Sequence, residues 1–339
     1  MNGWMKWVLL AGLSALLGFA GPVTELLGIP GVPIPADAAD PLPKVINRWE
    51  DPEAYADFAL DPAGELLEIW LPQVHEMDAT ILRYQGETWM IDCGSAGICR
   101  DHIVPVMKAA GIEGIDRILN THPHHDHLEG FFDLVQAFRV EELLLCFPED
   151  VNPRSQKAAD ICREQGIRLG FFGDEQRFGM GDGEVRLMNW QKVPEPYNMN
   201  DRSAQFMITY GDCSMLIMSD IERSGMRVFF DAVDPSLLSA DILRYPHHGK
   251  EAMWNDVYDA IAPELVLISG QWVGPMANMG ARFLRHEPAD KIYTSRGIVK
   301  LTTDGKHWVC EKLTEKEFLA AAREREKTAE DNGNFSENR

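Results

Sequence analysis

The run Thr121-His122-Pro123-His124-His125-Asp126-His127-Leu128-Glu129-Gly130 constrains this chain more than any other feature. It places four histidines and an aspartate within six positions, directly after an apolar segment. Imidazole nitrogen and carboxylate oxygen suit zinc and other first-row divalent ions, and a site that keeps an open position on its metal is the catalytic kind. Ile115, Ile118 and Leu119 read as a short strand entering the cluster, and Leu128 with Gly130-Phe131-Phe132 as the start of a helix leaving it. The ligands then sit on a loop at a strand end, where a rigid scaffold aims several side chains at one point. His122 and His124, two apart in an extended segment, can point the same way, while Asp126 and His127 turn toward a second point. The pattern predicts a two-metal centre, which can activate a bridging water and stabilise both attacking and leaving oxygens in a hydrolysis. Adventitious binding or a closed structural zinc is the competing reading. A closed zinc site would recruit cysteine, and none of the six cysteines lies in the run.

Three further segments follow a set order around this motif. Trp89-Met90-Ile91-Asp92-Cys93-Gly94 reads as a strand and turn upstream. Met215-Leu216-Ile217-Met218-Ser219-Asp220 reads as a strand ending in an aspartate, and Ile242-Leu243-Arg244-Tyr245-Pro246-His247-His248-Gly249 as a strand ending in a histidine pair. Together with His-x-His-x-Asp-His, they resemble the metallo-β-lactamase-fold hydrolases, and the Pro-His-His-Gly form resembles their ComEC-like branch. Gln73 to Ala79, Asn200-Asp201-Arg202-Ser203, Ile268-Ser269-Gly270 and His286-Glu287-Pro288 agree with that branch, so the resemblance runs from about Leu67 to Val309.

The resemblance implies an α/β (α+β) fold, the four-layer αββα sandwich, with two divalent metal ions, zinc by default and manganese as the alternative. It implies a first metal held by His122, His124 and Asp220, and a second held by Asp126, His127, Asp220 and one of His247 or His248. If His247 is that ligand, His248 is left to contact substrate or move a proton beside Asp126. Asp92 is expected behind the loop, holding a ligand histidine through its other ring nitrogen. One departure matters. The better-known lactamases and glyoxalases carry another histidine in mid-chain, whereas none occurs here between His127 and His247. Asn200 or Asp201 occupies that stretch as a possible additional ligand or substrate contact. His125 is expected to face away from the metals, and His75, His102 and His307 stand alone.

Turn-bounded alternating runs over Ala79 to Tyr84, Glu184 to Trp190, Ala204 to Tyr210 and Ser214 to Met218 read as strands. Helical spacing recurs around Ile103 to Ala110, Gly130 to Phe138, Pro153 to Gln165 and Ala252 to Ile261. The expected organisation is a signal peptide or N-terminal anchor over 1–38, a Pro-rich linker and entry segment over 39–66, the hydrolase domain over 67–312, and a charged helix with a disordered tail over 313–339. Lys6, the apolar run from Trp7 to Ala20 and the Ala36-Asp37-Ala38 pattern carry the secretory reading. The chain is expected to be secreted, or anchored in the membrane if that segment is not cleaved. Cys93 and Cys99 either close a short loop or stay as buried thiols.

A net charge of −21 with no Lys/Arg run disfavours an extended groove for duplex nucleic acid, because a strongly acidic surface repels a polyphosphate. Bound ions would still attract a single phosphate locally. The expected activity is hydrolysis of a small phosphodiester or a short single strand through a metal-bridging hydroxide. The alternatives are a lactone or β-lactam-type hydrolase, and a non-catalytic metal-binding module associated with the envelope or competence.

Overall fold

The computed structural model describes residues 42–270 and 289–337. The expected signal segment and the His286-Glu287-Pro288 stretch lie outside the described residues. In chain order the strands are β1 (Val45–Asn47), β2 (Leu67–Leu71), β3 (Ala79–Tyr84), β4 (Glu87–Cys93), β5 (Gly114–Ile115), β6 (Arg117–Asn120), β7 (Arg139–Val140), β8 (Glu142–Leu145) and β9 (Arg168–Phe171). They continue with β10 (Arg177–Met180), β11 (Val185–Trp190), β12 (Gln205–Tyr210), β13 (Cys213–Ile217), β14 (Ile242–Arg244), β15 (Leu265–Ile268), β16 (Asp290–Tyr293), β17 (Ile298–Thr303) and β18 (Trp308–Leu313).

Two large sheets result, a nine-stranded one in the order β1-β18-β17-β2-β3-β4-β6-β8-β9 and a seven-stranded one in the order β10 to β16; β5 and β7 make a small separate pair. Strand alternation explains how the sheets stack. Trp89 and Ile91 of β4 join a core shared with Phe206, Met215, Ile217, Ile242 and Leu267 of the other sheet, while Met90 between them joins the cluster on the opposite face. On that outer face Met90, Ile118 and Leu143 meet Met107, Leu134 and Cys162, from the helices Val104–Ala109, Phe131–Ala137 and Pro153–Gln165. Leu216, Leu243 and Val266 of the second sheet likewise meet Phe229 and Ile261, from the helices Arg223–Ala232 and Asn255–Ile261. Helix, sheet, sheet and helix are the four layers of an αββα sandwich.

Two boundaries differ from the expected organisation. The expected linker contains β1, which pairs in parallel with β18 and adds an edge to the first sheet. Three residues behind prolines look like linker, and only a partner some 260 positions away makes them a strand. The terminal helix spans Glu315–Glu337 and so extends into the expected disordered tail. Its Phe318 stacks 5.4 Å from Trp70, and its run of alanine, arginine, glutamate and lysine is rich in strong helix formers.

Each sheet joins an antiparallel half to a parallel one. The β4-β6-β8-β9 steps and the β13-β14-β15-β16 steps are all parallel. Parallel strands gather their carboxyl ends, and the loops that leave them, along one rim, where open α/β sheets place their sites. Asp92 ends β4, the histidine run follows β6, Asp220 follows β13, His247 and His248 follow β14, and Ser269 follows β15.

Candidate metal centre

The loops that deliver these side chains turn sharply. Asp92, Ser219, His247 and His248 all have positive φ, between 47° and 58°. Left-handed backbone costs a residue with a side chain roughly 1–3 kcal/mol and persists only where the surroundings enforce it. Four such residues at one rim mark the place where the fold gives up stability for geometry.

Asp220 Oδ2 is the centre of the cluster. It lies 3.1 Å from His127 Nε2, 3.5 Å from His248 Nε2, 3.9 Å from His122 Nε2 and 4.0 Å from His247 Nε2. His248 Nε2 also approaches Asp126 Oδ2 at 3.3 Å. Asp126, His127, Asp220 and His248 each offer a ligand atom within 4.8 Å of the others, and all four are buried. A second group lies beside them: His122 Nε2, 3.9 Å from Asp220 Oδ2, stands 3.1 Å from His124 Nδ1.

The tautomers follow from what lies behind each ring. Asp92 Oδ2 accepts from His127 Nδ1 at 2.7 Å and from the Thr121 hydroxyl at 2.6 Å, while Oδ1 accepts from Asn120 Nδ2 and the Thr121 amide. His127 therefore keeps its Nε2 lone pair for the cluster, which is how such a carboxylate tunes a metal-ligating histidine. The Thr121 hydroxyl proton goes to Asp92, so its oxygen accepts from His122 Nδ1 at 3.1 Å and leaves His122 Nε2 free in the same way. Asp78 and Asp92 also approach His127 as a group, but their oxygens are taken by Arg244, Ser269, Asn120 and Thr121.

Without an ion the electrostatics are divided. Burial, reinforced by the charge of His127, drives His122 well below the ordinary imidazole pKa and lowers His124, so both are neutral and ligand-competent. Burial also opposes a charge on His127 and His248, but carboxylates outweigh it, Asp220 foremost, and raise both well above the ordinary value. Despite burial, hydrogen bonding to His248 and the charge of His127 hold the Asp126 carboxyl well below the carboxylate range.

The buried donors fit a divalent cation. His127 Nε2, Asp220 Oδ1 and His247 Nδ1 are buried without a hydrogen-bond partner among the described residues, although buried polar atoms are normally satisfied. A cation among these carboxylates would supply the positive charge that they otherwise favour on His127 and His248, so its binding would be coupled to proton release.

Several expected roles change. His248, and not His247, enters the buried four-residue group; its left-handed backbone turns the ring inward, where Ser269 Oγ meets Nδ1 at 2.9 Å. His247 stands at the rim with Nε2 3.5 Å from Asn200 Nδ2 and Nδ1 3.9 Å from Glu222. Asp201 turns away from the centre. Its oxygens accept from the Glu222 and Gly225 amides and the Ser224 hydroxyl, capping the helix Arg223–Ala232. Asn200 donates to Glu222 at 2.9 Å. His125 is exposed, with Nδ1 3.4 Å from Asp126 Oδ1. All six cysteines are free thiols, Cys93 and Cys99 included, and burial pushes every one of them up in pKa. Sequence reasoning gave no role to Asp78, Thr121, Ser219, Glu222, Arg244 or Ser269, each a common polar residue whose partners come from distant segments.

Gly130 ties the metal loop to the end of β4. Its amide donates to Gly94 O at 2.8 Å, and a Cβ at Gly130 would fall 2.0 Å from the Cys93 carbonyl oxygen. Backbone cannot yield as a side-chain tip can. Gly130→Ala is expected to cost about 3 kcal/mol, read as a lower urea midpoint with an unchanged slope; a midpoint equal to the parent's would show that the loop and β4 are not in close contact.

Helices on both outer faces of two packed sheets, with a histidine and carboxylate cluster at the parallel strand ends, define the metallo-β-lactamase fold. A profile of the metallo-beta-lactamase superfamily matches residues 77–265, and the chain belongs to that family. It is similar to ComE operon protein 3 of Bacillus subtilis (strain 168), 22% identical over 56% of this chain and 24% of that protein. It is also similar to competence protein ComA of Neisseria gonorrhoeae, 21% identical over 67% of this chain and 29% of that one. The chain thus spans about a quarter of each competence protein's length, and the similarity is to the ComEC-like branch. Among solved structures, the metallo-beta-lactamase fold protein YhfI from Bacillus subtilis aligns with a TM-score of 0.41 and 12% identity, over 68% of this chain and 96% of that one.

Proposed function

We propose that this metal-dependent hydrolase is a dinuclear phosphodiesterase acting on a small phosphodiester or a short single strand. The observation that carries the reading is a single carboxylate oxygen, Asp220 Oδ2, within 4.0 Å of imidazole nitrogens from His122, His127, His247 and His248. In this reading His122, His124 and Asp220 hold one ion, and Asp126, His127, Asp220 and His248 the other. Zinc is the default for the nitrogen-rich set, with manganese the alternative. When bound, the ions supply Lewis-acid chemistry and a nucleophile from water at neutral pH.

The chain's own residues do the rest. Asp92 and Thr121 hold the ring protons of His127 and His122 on the nitrogens that face away from the centre. His247, only partly buried beside Asn200, is the ring left to contact the substrate or transfer a proton to its leaving group. A phosphodiester suits the site because its charge is met locally by the ions, whereas the acidic surface disfavours a long duplex. The mid-chain histidine missing between His127 and His247 weighs against a lactamase or lactonase.

The test is turnover of bis-p-nitrophenyl phosphate beside a chromogenic β-lactam and a lactone, with zinc or manganese added. Phosphodiester turnover that a chelator abolishes and metal restores is expected. Faster turnover of the lactam or lactone would overturn the phosphodiester reading, and no metal-dependent turnover of any of the three would favour the non-catalytic module. The proposal includes export, with a mature N-terminus near Ala39; an intact Met1 on cytosolic protein would refute that part.

A further inference from the structure

His248 is backed by a hydrogen-bond network as complete as the one behind His127. Asp78, immediately before β3, is buried, and Arg244 at the end of β14 donates to its Oδ1 from Nη2 at 2.6 Å. Ser269, just past β15, donates its hydroxyl to the same Oδ1 at 2.7 Å. A hydroxyl has one proton to give, so with that proton on Asp78 the Ser269 oxygen can only accept from His248 Nδ1, 2.9 Å away. Asp78 Oδ1 itself stands 3.4 Å from the same ring nitrogen. The proton of neutral His248 is thereby placed on Nδ1, and the lone pair on Nε2 faces Asp126 and Asp220.

We infer that Asp78, Ser269 and Arg244 are positioning residues that hold His248 in its metal-ligating tautomer and orientation. The inference rests on the metal-centre reading above. Asp78 orders the Ser269 hydroxyl, Ser269 holds the ring, and Arg244 fixes Asp78. The arrangement differs from that of His127 in having a hydroxyl between carboxylate and imidazole, and a guanidinium behind the carboxylate. Arg244 is itself buried, and its Nη1 has no hydrogen-bond partner among the described residues. Asp78→Ala would thus strand a buried charge and destabilise the fold whatever its effect on His248. Ser269→Ala is the cleaner change, because it removes one hydroxyl and keeps the Asp78–Arg244 pair.

The experiment compares the full chain with its Ser269→Ala and Ser269→Thr variants after chelator stripping. Zinc binding is followed by calorimetry, and the histidine rings of the zinc-loaded proteins by long-range nitrogen-15 NMR. Ser269→Ala is expected to weaken one of two zinc sites by about 10–100-fold and to take the His248 signals away from a single Nδ1-protonated form. Ser269→Thr, which keeps the hydroxyl, is expected to restore both. A Ser269→Ala variant with parental zinc affinities and an unchanged His248 spectrum would overturn the inference while leaving the metal centre standing. A parent that binds neither zinc nor manganese would overturn the metal-centre reading and this inference with it. A Thr variant as impaired as the Ala variant would show that Ser269 acts through packing alone.

Discussion

Asp220→Ala is expected to abolish both metal binding and hydrolysis. Its Oδ2 faces imidazoles from both halves of the site, so no other single substitution removes a donor common to both proposed ions. The parent should hold about two ions per chain at saturation, the number a shared bridging carboxylate serves. Turnover should fall by at least about a thousandfold, since a Lewis-acid contribution of several kcal/mol is lost. Metal analysis of protein purified without chelator, paired with the phosphodiester assay, provides the measurement. A parent saturated by one ion would sink the dinuclear reading, and an Asp220→Ala variant that still carries two would remove Asp220 from the bridging role.

Asp126→Ala and His127→Ala are expected to abolish turnover while leaving a folded domain, whereas His125→Ala should be close to the parent. The three residues are consecutive, and only their orientation separates them: Asp126 and His127 are buried in the cluster, while the His125 side chain is 62% exposed. Exposed substitutions usually change folding stability by no more than about 0.5 kcal/mol. The two-sheet core is large enough for the fold not to depend on one ion. Circular dichroism beside the phosphodiester assay checks both halves of the expectation. Parental activity in Asp126→Ala would remove the catalytic reading, and unfolding of that variant would move the site toward a structural role.

The sequence was most legible where the information is local. The helix Pro153–Gln165 lies where its spacing puts it, with Asn152 accepting from the Arg154 and Ser155 amides at one end and Gly166 in the left-handed region at the other. The alternation over Ala79–Tyr84 likewise gives β3 without adjustment. What stayed hidden is non-local. The helix Arg223–Ala232 lacks a capping side chain of its own at Glu222 and borrows Asp201 from an earlier loop, so its start carries no signal in the adjoining residues.

The metal loop was legible because its donors are packed into one short run. The division of labour between His247 and His248 was not, because it depends on two consecutive left-handed residues and on Ser269 from the loop after another strand. The network of Asp78, Arg244 and Ser269 joins segments that are up to 191 positions apart, and each residue alone looks like an ordinary polar side chain.

The two carboxylates that stand behind the ligand histidines leave from one hairpin. Ala79, next to Asp78, pairs with Cys93, next to Asp92. Asp92 reaches His127 within its own sheet, while Asp78 reaches across to Arg244 and Ser269 of the other. The apolar contacts between the sheets are non-directional and would tolerate a small slip of one layer over the other. The polar contacts at this rim would not, since hydrogen bonds weaken steeply with misalignment. The hairpin therefore works as a gauge between the layers, setting how far one sheet can slide before the proposed metal ligands part company.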